Sequence, residues 1–525
     1  MARFDSSDKT KRTGATYTPV DLAHFVARRL MAHLPPGPLR ALDPSVGEGA
    51  LLDALSHALG DRLCRYTGYD TDADALKAAS HRLPGLHLEH GDFLEHLPED
   101  AFDVAIANPP YVRTQVLGAR RAQALSKQFG LEGKVDLASA FVVAMLRALK
   151  PGGVGAWIVT NRLLTTQSGA ALREHLMMHA TLLEIWDLGD TELFDAAVLP
   201  AVLIVRKDQG DISTPFVSAY TTEATHDHTS DGPLDALNQP GRHRLSDGRT
   251  LEIRRGHLAP TDTPRDVWRL TNPDVETWLR TIDARTWKTL GDLGVPRVGI
   301  KTTADKVFIR TDWDEACPDG LPEVLRPLTT HHVASRYHAN GSVERKQVLY
   351  PHAHDGTKRH AVPLPEIPHA AAYLESHRER LEGRSYVQQS NRPWYVIWVP
   401  HDPRAWDRPK LVWRDISVRG TFWMDPAGTV VNGDCYWLAP QDDVSDDLLW
   451  LAAAVGNSDV ALTFYDLRCG NRLYRGRRRW ITQYVRDLPI PDPALPASQR
   501  AIKAAKAGDH TLANLAICEA FDLAT

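Results

Sequence analysis

Two loops constrain this chain more than any other feature in it. Asn108-Pro109-Pro110-Tyr111 comes directly after the apolar run Phe102-Asp103-Val104-Ala105-Ile106-Ala107. Two strand–helix units upstream, Asp43-Pro44-Ser45-Val46-Gly47-Glu48-Gly49 closes the run that begins Leu39-Arg40-Ala41-Leu42. Short apolar runs that end in polar, conformationally restricted loops are the pattern of an open parallel sheet, whose ligands gather at the carboxyl ends of the strands.

The segments around these loops fit such a sheet. Residues 65–70, 86–90, 154–159 and 201–205 read as further strands, and residues 50–55, 71–81 and 136–149 as helices. Lys150-Pro151-Gly152-Gly153 reads as the sharp turn that stops the last of these helices. This alternation predicts that residues 1–207 form an α/β domain with a Rossmann-like, doubly wound sheet. Beyond Lys207 the alternation is lost, and twelve of the fourteen tryptophans lie there. Polar residues 208–249 open a linker segment, 208–285, followed by a separate α+β domain, 286–525, that closes with a helix from Leu495. A chain of 525 residues is too long for a single core, which agrees with this division.

Bulk properties exclude several classes. The net charge of −5 does not advertise a polyanion binder, so any such role needs a local basic surface. The five cysteines (Cys64, Cys317, Cys435, Cys469 and Cys518) lie far apart without CxxC spacing, which argues against a disulfide framework and a structural metal. Residues 1–14 hold no apolar signal core, and no run is long enough to span a bilayer. The expectation is a cytoplasmic protein, monomeric or weakly dimeric, with no membrane partner and no metal.

The first loop reads as a nucleoside-cofactor site. Gly47 and Gly49 permit close backbone approach, and the amides opening the next helix can face a carboxylate. Asp70 ends the second strand, where a carboxylate can accept two ribose hydroxyls. Asp92-Phe93 follows the third, offering an acceptor for an adenine amino group with an apolar ring beside it. The turn is not Gly-x-Gly-x-x-Gly and no phosphate-cradling lysine follows, which disfavours dinucleotides and nucleoside triphosphates and suits S-adenosylmethionine. Asp43, Pro44, Gly47, Gly49, Asp70, Asp92 and Phe93 are thus the candidate cofactor residues.

The second loop suits transfer to a planar NH2 group. An aromatic amine delocalises its lone pair into the ring and is a poor nucleophile. It improves when two acceptors take its N–H bonds and draw the nitrogen towards tetrahedral geometry. The Asn108 side-chain oxygen and the Pro109 carbonyl can do so, Pro109 and Pro110 stiffen the loop, and the Tyr111 ring can stack on the base. Asparagine has no useful pKa, so such a mechanism works by positioning rather than by a general base. A base within a duplex must first be flipped out.

Taken together, these residues resemble the Taq-type, gamma-class adenine-N6 DNA methyltransferases of restriction–modification systems, over nearly the whole chain. Thr13-Gly14-Ala15-Thr16-Tyr17-Thr18-Pro19 looks like that family's N-terminal cofactor motif, which implies that Thr18 contacts the methionine end. The cofactor turn, Asp70, Asp92-Phe93 and Asn108 to Tyr111 follow in the family order; residues 136–141 and Thr160-Asn161-Arg162 look like its next motifs. Phe194, in Glu192-Leu193-Phe194-Asp195, is placed like the second aromatic wall for a flipped base. The resemblance implies a class I S-adenosylmethionine-dependent methyltransferase domain followed by a DNA target-recognition domain. It also implies a separate restriction endonuclease as partner. In the C-terminal half it rests on Val298-Gly299-Ile300-Lys301-Thr302-Thr303-Ala304-Asp305-Lys306-Val307-Phe308, Pro409-Lys410-Leu411-Val412-Trp413 and Leu488-Pro489-Ile490-Pro491. Thr303 stands where the family usually has glycine.

For double-stranded DNA, the strongest basic stretch holds Arg468, Arg472, Arg475, Arg477, Arg478, Arg479 and Arg486, interleaved with Tyr474, Trp480 and Tyr484. Lys301, with Lys306 and Arg310, forms a second candidate surface. Release-factor glutamine and ribosomal-RNA guanine methyltransferases share the Asn-Pro-Pro-aromatic loop, but they lack a large domain C-terminal to it together with the Tyr-Thr-Pro motif. Cytosine-C5 chemistry needs a nucleophilic cysteine in Pro-Cys-Gln, which this chain lacks. Pro318-Asp319 and Glu344-Arg345-Lys346 match a nuclease pattern only loosely. A silent DNA-binding relic would show a damaged turn or tetrapeptide, and both are intact.

Overall fold

The computed structural model describes residues 17–95, 97–111, 118–132, 135–194, 199–390, 392–470 and 472–523. The chain divides into two compact units, Met1–Val275 with Cys469–Gly476, and Glu276–Arg468 with Arg477–Thr525.

Unit 1 is a twelve-stranded sheet with helices packed on it. In chain order its elements are α1 (Val20–Met31), β1 (Leu39–Asp43), α2 (Ala50–Leu59), β2 (Cys64–Asp70), α3 (Ala73–Arg82), β3 (His87–His90) and β4 (Phe102–Ala107). Then come α4 (Ala119–Phe129), α5 (Leu137–Ala148), β5 (Leu149–Thr160), α6 (Ala170–His179), β6 (Thr181–Asp187), β7 (Pro200–Arg206) and β8 (Pro215–Thr221). β9 (His228–Ser230), β10 (Gly241–Leu245), β11 (Thr250–Leu258) and β12 (Leu270–Thr271) complete it. The strand order is β3-β2-β1-β4-β5-β7-β6-β8-β11-β10-β9, with β12 beside β11. The first five strands run parallel, and β7 is antiparallel to both of its neighbours.

Both faces of the central strands are buried, which explains their unbroken apolar runs. Val104 and Ile106 of β4, with Val154, Ala156 and Ile158 of β5, pack against α1 and α2. Ala105, Ala107, Trp157 and Val159 pack on the opposite face against α5. Local chemistry sets the helix starts: the Asp72 carboxylate accepts the N–H groups of Asp74 and Ala75 to cap α3, and Asp136 accepts that of Ser139 to cap α5. β1 lies between β2 and β4, so chain progression reverses there. The switch-point crevice opens at the carboxyl ends of β1 and β4, where the two loops begin.

Two sequence expectations differ from this fold. Lys150 to Gly153 form an irregular opening of β5 rather than a separate turn, with Gly152 at φ +77° and a register shift against β4. The sheet also continues past Lys207: β8 to β11 fall within the segment read as a linker, and unit 1 extends to Val275. Polar composition hides these outer strands, because β10 buries only His243 and Leu245.

Unit 2 is α+β. Its main sheet holds β13 (Gly294–Val298), β14 (Tyr337–His338), β15 (Lys410–Arg414), β16 (Phe422–Asp425) and β17 (Cys435–Pro440), in the order β13-β17-β15-β16-β14. Trp313, Trp406, Trp423 and Trp437 fill its core, accounting for part of the tryptophan bias. The C-terminal helix is two helices, α7 (Pro496–Ala507) and α8 (His510–Ala520), broken at Gly508 (φ +76°). No single described helix is long and apolar enough to cross a membrane.

Candidate active site

The first loop is made by clamping the end of β1 onto the end of β2. Val46 N–H donates to the Tyr69 carbonyl (2.8 Å) and Gly47 N–H to Asp70 Oδ2 (2.9 Å). Asp70 Oδ1 accepts from Asp72 N–H (2.9 Å), so its carboxylate shapes the loop as well as ending the strand. Gly47 (φ +49°) and Gly49 (φ +85°) are left-handed; a Cβ on Gly49 would press Ala79 at 3.3 Å, whereas the space over Gly47 is open. Asp43, beside buried Pro44, is 1 % exposed, and its Oδ1 accepts from Ser45 N–H (3.0 Å). Burial pushes the Asp43 carboxyl up to about 8, opposed by that hydrogen bond and reinforced by the nearby Asp70 charge. An open glycine turn with a half-buried carboxylate fits S-adenosylmethionine, which has hydroxyls to be accepted and no phosphate to be neutralised.

At the end of β3 the arrangement is less open than the sequence suggests. Asp92 Oδ1 accepts from Leu94 N–H (3.0 Å), and Oδ2 pairs with Arg121 (2.7 Å) on α4, a partner invisible in the sequence pattern. Phe93 is 1 % exposed and sits between Tyr69 (centroids 5.1 Å apart) and Phe141 (6.4 Å). Its ring supports the site from the core rather than presenting a face to a ligand.

The second loop holds Asn108 at the carboxyl end of β4, 8 % exposed. Its Nδ2 donates to Thr18 Oγ1 (3.1 Å), and its Oδ1 accepts from the Tyr111 hydroxyl (2.8 Å). The amide thus lies between two hydroxyls, its nitrogen towards Thr18 and its oxygen towards Tyr111. The Tyr111 hydroxyl also lies 3.1 Å from the Ile158 carbonyl, and burial of that hydroxyl raises its pKa far above the ordinary value. Pro109 is buried, while Pro110 and Tyr111 are half-buried. Ser45 Oγ donates to the Asn108 carbonyl (3.4 Å), joining the two loops directly. Thr13 to Thr16 of the N-terminal motif lie outside the described residues.

Along the same sheet edge is a network that sequence reasoning found only in part. Asn161, just past β5, donates to the Tyr220 hydroxyl (3.0 Å), which donates to Asp187 Oδ2 (2.6 Å) at the end of β6. Gly189 N–H donates to Asp187 Oδ1 (3.2 Å), and the Arg472 guanidinium lies 4.6 Å over the Tyr220 ring. Burial raises the Asp187 carboxyl to about 6 against these hydrogen bonds. The sequence signal was confined to Thr160-Asn161-Arg162; Asp187 and Tyr220 were not singled out. Phe194, expected as an aromatic wall, is 6 % exposed and packs with Leu183, Trp186 and Leu188, so little of its ring remains to stack. Asp195 to Val198 lie outside the described residues.

Three arginines of the basic stretch are paired with acids. Arg478 is 9 % exposed and bidentate to Asp466 (2.6 and 2.9 Å), Arg479 pairs with Asp415 (3.0 Å) and Arg468 with Asp283. Arg475 and Arg477 are exposed, and Lys301 is exposed on unit 2. Among the described residues, no group of three or more His, Cys, Asp or Glu is arranged to hold a metal ion.

Residues 72–194 match the family described as Eco57I restriction-modification methylase. The chain is 36 % identical to the Type II methyltransferase M.BanIII of Aneurinibacillus aneurinilyticus, covering 94 % of this chain and 92 % of that protein. Type II methyltransferase M.BstVI of Geobacillus stearothermophilus is 25 % identical, over 86 % of this chain and 85 % of that one. Among solved structures, the Type IIL restriction–modification enzyme MmeI in complex with DNA aligns at a TM-score of 0.63 and 14 % identity, covering 98 % of this chain and 77 % of that one, a likeness of fold.

Proposed function

The chain belongs to the type II DNA methyltransferases of restriction–modification systems, and from that premise we propose that the group it methylates is the N6 amino nitrogen of adenine in double-stranded DNA. The donor is S-adenosyl-L-methionine, whose sulfonium-bound methyl group is the electrophile. Gly47, Gly49 and Asp70 hold it, with Asp43 and Pro44 forming the buried side of the turn, Asp92 accepting at the adenine end and Thr18 near the methionine end.

The observation that carries the reading is the Asn108 amide held between Thr18 and Tyr111 at the end of β4, its backbone carbonyl tied through Ser45 to the first loop. Asn108 Oδ1 and the Pro109 carbonyl accept the two N–H bonds of a flipped adenine. Bound S-adenosyl-L-methionine would supply an electrophilic methyl group to that nitrogen, and the surplus proton would leave to water. The Tyr111 hydroxyl already lies near the Ile158 carbonyl, so it can yield Asn108 Oδ1 to the substrate without becoming an unpaired buried donor. Stacking on Tyr111 contributes roughly 1–3 kcal/mol. Nothing in this arrangement removes a proton before attack, so positioning and electrostatics carry the acceleration.

The protein on this reading is a cytoplasmic monomer or weak dimer that protects host DNA beside a separate endonuclease. Incubation of the pure protein with labelled donor and duplex DNA, followed by nucleoside chromatography, should place the label in N6-methyldeoxyadenosine. Label in N4-methyldeoxycytidine, or transfer only to RNA or protein, would replace the proposal.

A further inference from the structure

Unit 2 carries a second charged feature, one the sequence did not single out. Arg297 on β13, Arg359 and Arg392 line an open cavity of about 540 Å³, floored by Val399 to His401 and walled by Trp398. Their charges are not balanced locally. The Arg297 side chain makes no ion pair or hydrogen bond with any described residue, while its backbone belongs to the pairing of β13 with β17. Arg359 spends one N–H on the His401 carbonyl (2.9 Å) and Arg392 one on the Trp398 carbonyl (2.9 Å). A guanidinium has five N–H donors, so most remain available.

The surroundings add no compensating anion. The one acid lining the cavity, Asp402, is already committed to Arg404, through Nη2 (2.9 Å), Nε (3.3 Å) and the backbone N–H (3.0 Å). His401 is held neutral by burial and donates Nε2–H to the Val298 carbonyl (2.7 Å). Exposed Lys301 is joined through its backbone to Val399. Trp398 is 42 % exposed, yet its ring is fixed by stacking on Tyr386 (centroids 6.0 Å apart, 26°). Three like charges converging in one hollow repel each other, and an anion with several acceptor oxygens relieves that repulsion. Other arginines of the unit are paired with acids: Arg310 with Asp312, Arg478 with Asp466 and Arg479 with Asp415.

We infer that the Arg297–Arg359–Arg392 cavity seats a backbone phosphate of the DNA substrate, with Trp398 against the adjoining sugar or base. The assignment rests on the reading of this chain as a DNA methyltransferase. It moves the sequence-independent grip of unit 2 away from the paired arginines of the 468–486 stretch. Such a contact fixes register and carries no base information.

The test is the salt dependence of duplex binding by the full chain with cofactor, from about 50 to about 200 mM salt, where each lost phosphate contact lowers the log–log slope by about 0.9. Arg297→Gln removes no hydrogen bond from the described fold, so it is the safest variant; Arg297→Gln/Arg392→Gln extends it. Arg408→Gln is the control, removing the same charge from a site paired with Asp442 (2.9 Å). The inference predicts a slope shallower by about one for the single variant and about two for the double variant, equally on DNA with and without the methylated site. Thermal unfolding and cofactor affinity should stay those of the wild type, as should the slope of the control. Unchanged slopes in both variants, or an equal loss in Arg408→Gln, would overturn it while wild-type methylation stands. A wild-type protein that neither binds nor methylates DNA would remove the parent reading and this one together.

Discussion

Asp43→Asn should stabilise the cofactor-free protein, and increasingly so as the pH rises. The Asp43 carboxyl is 1 % exposed, accepts one hydrogen bond from Ser45, and is raised from 3.8 to about 8, chiefly by burial. The folded protein therefore keeps this proton across a pH range in which the unfolded chain has released it. The contribution to stability is complete below pH 3.8 and is lost progressively as pH rises through about 8. Each pH unit inside that window costs about 1.4 kcal/mol, so passing from pH 5 to pH 7 costs on the order of 3 kcal/mol. Asparagine keeps an oxygen for the Ser45 N–H but carries no proton to lose. Asp187, raised to about 6, titrates in both proteins and cancels in the difference. The assay is denaturant unfolding of wild type and variant at several pH values without cofactor. A stability gap that widens with pH by about that amount supports the argument, and a constant gap refutes it.

Four further outcomes follow from particular contacts. Asn108→Ala should slow transfer by about 10²–10³-fold, the range for losing one preorganised hydrogen-bonding group, with cofactor affinity unchanged in a binding titration; lost cofactor binding would reassign the residue. Asp70→Ala should weaken cofactor affinity by about tenfold or more, because a charged acceptor disappears and the Gly47 and Asp72 N–H groups lose their partner; equal affinity would remove it from the site. Lys410→Ala should destabilise unit 2 by about 3–5 kcal/mol, since Lys410 and Asp425 are both fully buried, 3.7 Å apart, and the carboxylate would lose its counter-charge; a chemical-denaturation change below about 1 kcal/mol would contradict this. Thr303→Gly should raise stability by about 1 kcal/mol, because a β-branched residue sits at φ +60° where the family usually has glycine; a lowered melting temperature would count against the strain.

What could be read from the sequence follows from burial and separation. β1 and β4 were legible because both faces are buried and each run ends in a distinctive loop. β6 was not, because its seven residues are buried throughout and have no period to distinguish strand from helix. The outer strands were hidden by polar residues on their exposed faces. Within the site, residue types and order pointed to the cofactor turn and to Asn108. The partner that orients Asn108, Thr18, lies 90 residues away and could not be found by spacing. Distance along the chain also explains the basic stretch: its positive charge is plain locally, while the acids that neutralise Arg468 and Arg479 lie 185 and 64 residues away. Phe93 and Phe194 carried the right chemistry, but the fold turned both rings into the core, and sequence order does not encode that.

The central claim is methylation of adenine N6 in a defined DNA site, and base-resolved sequencing tests it most directly. DNA from a methylation-deficient host expressing the wild-type protein should carry N6-methyladenine throughout one short motif, and DNA from the same host expressing Asn108→Ala should carry none. Unmodified DNA from cells containing folded, cofactor-binding wild-type protein, or a motif modified at cytosine instead, would contradict the account.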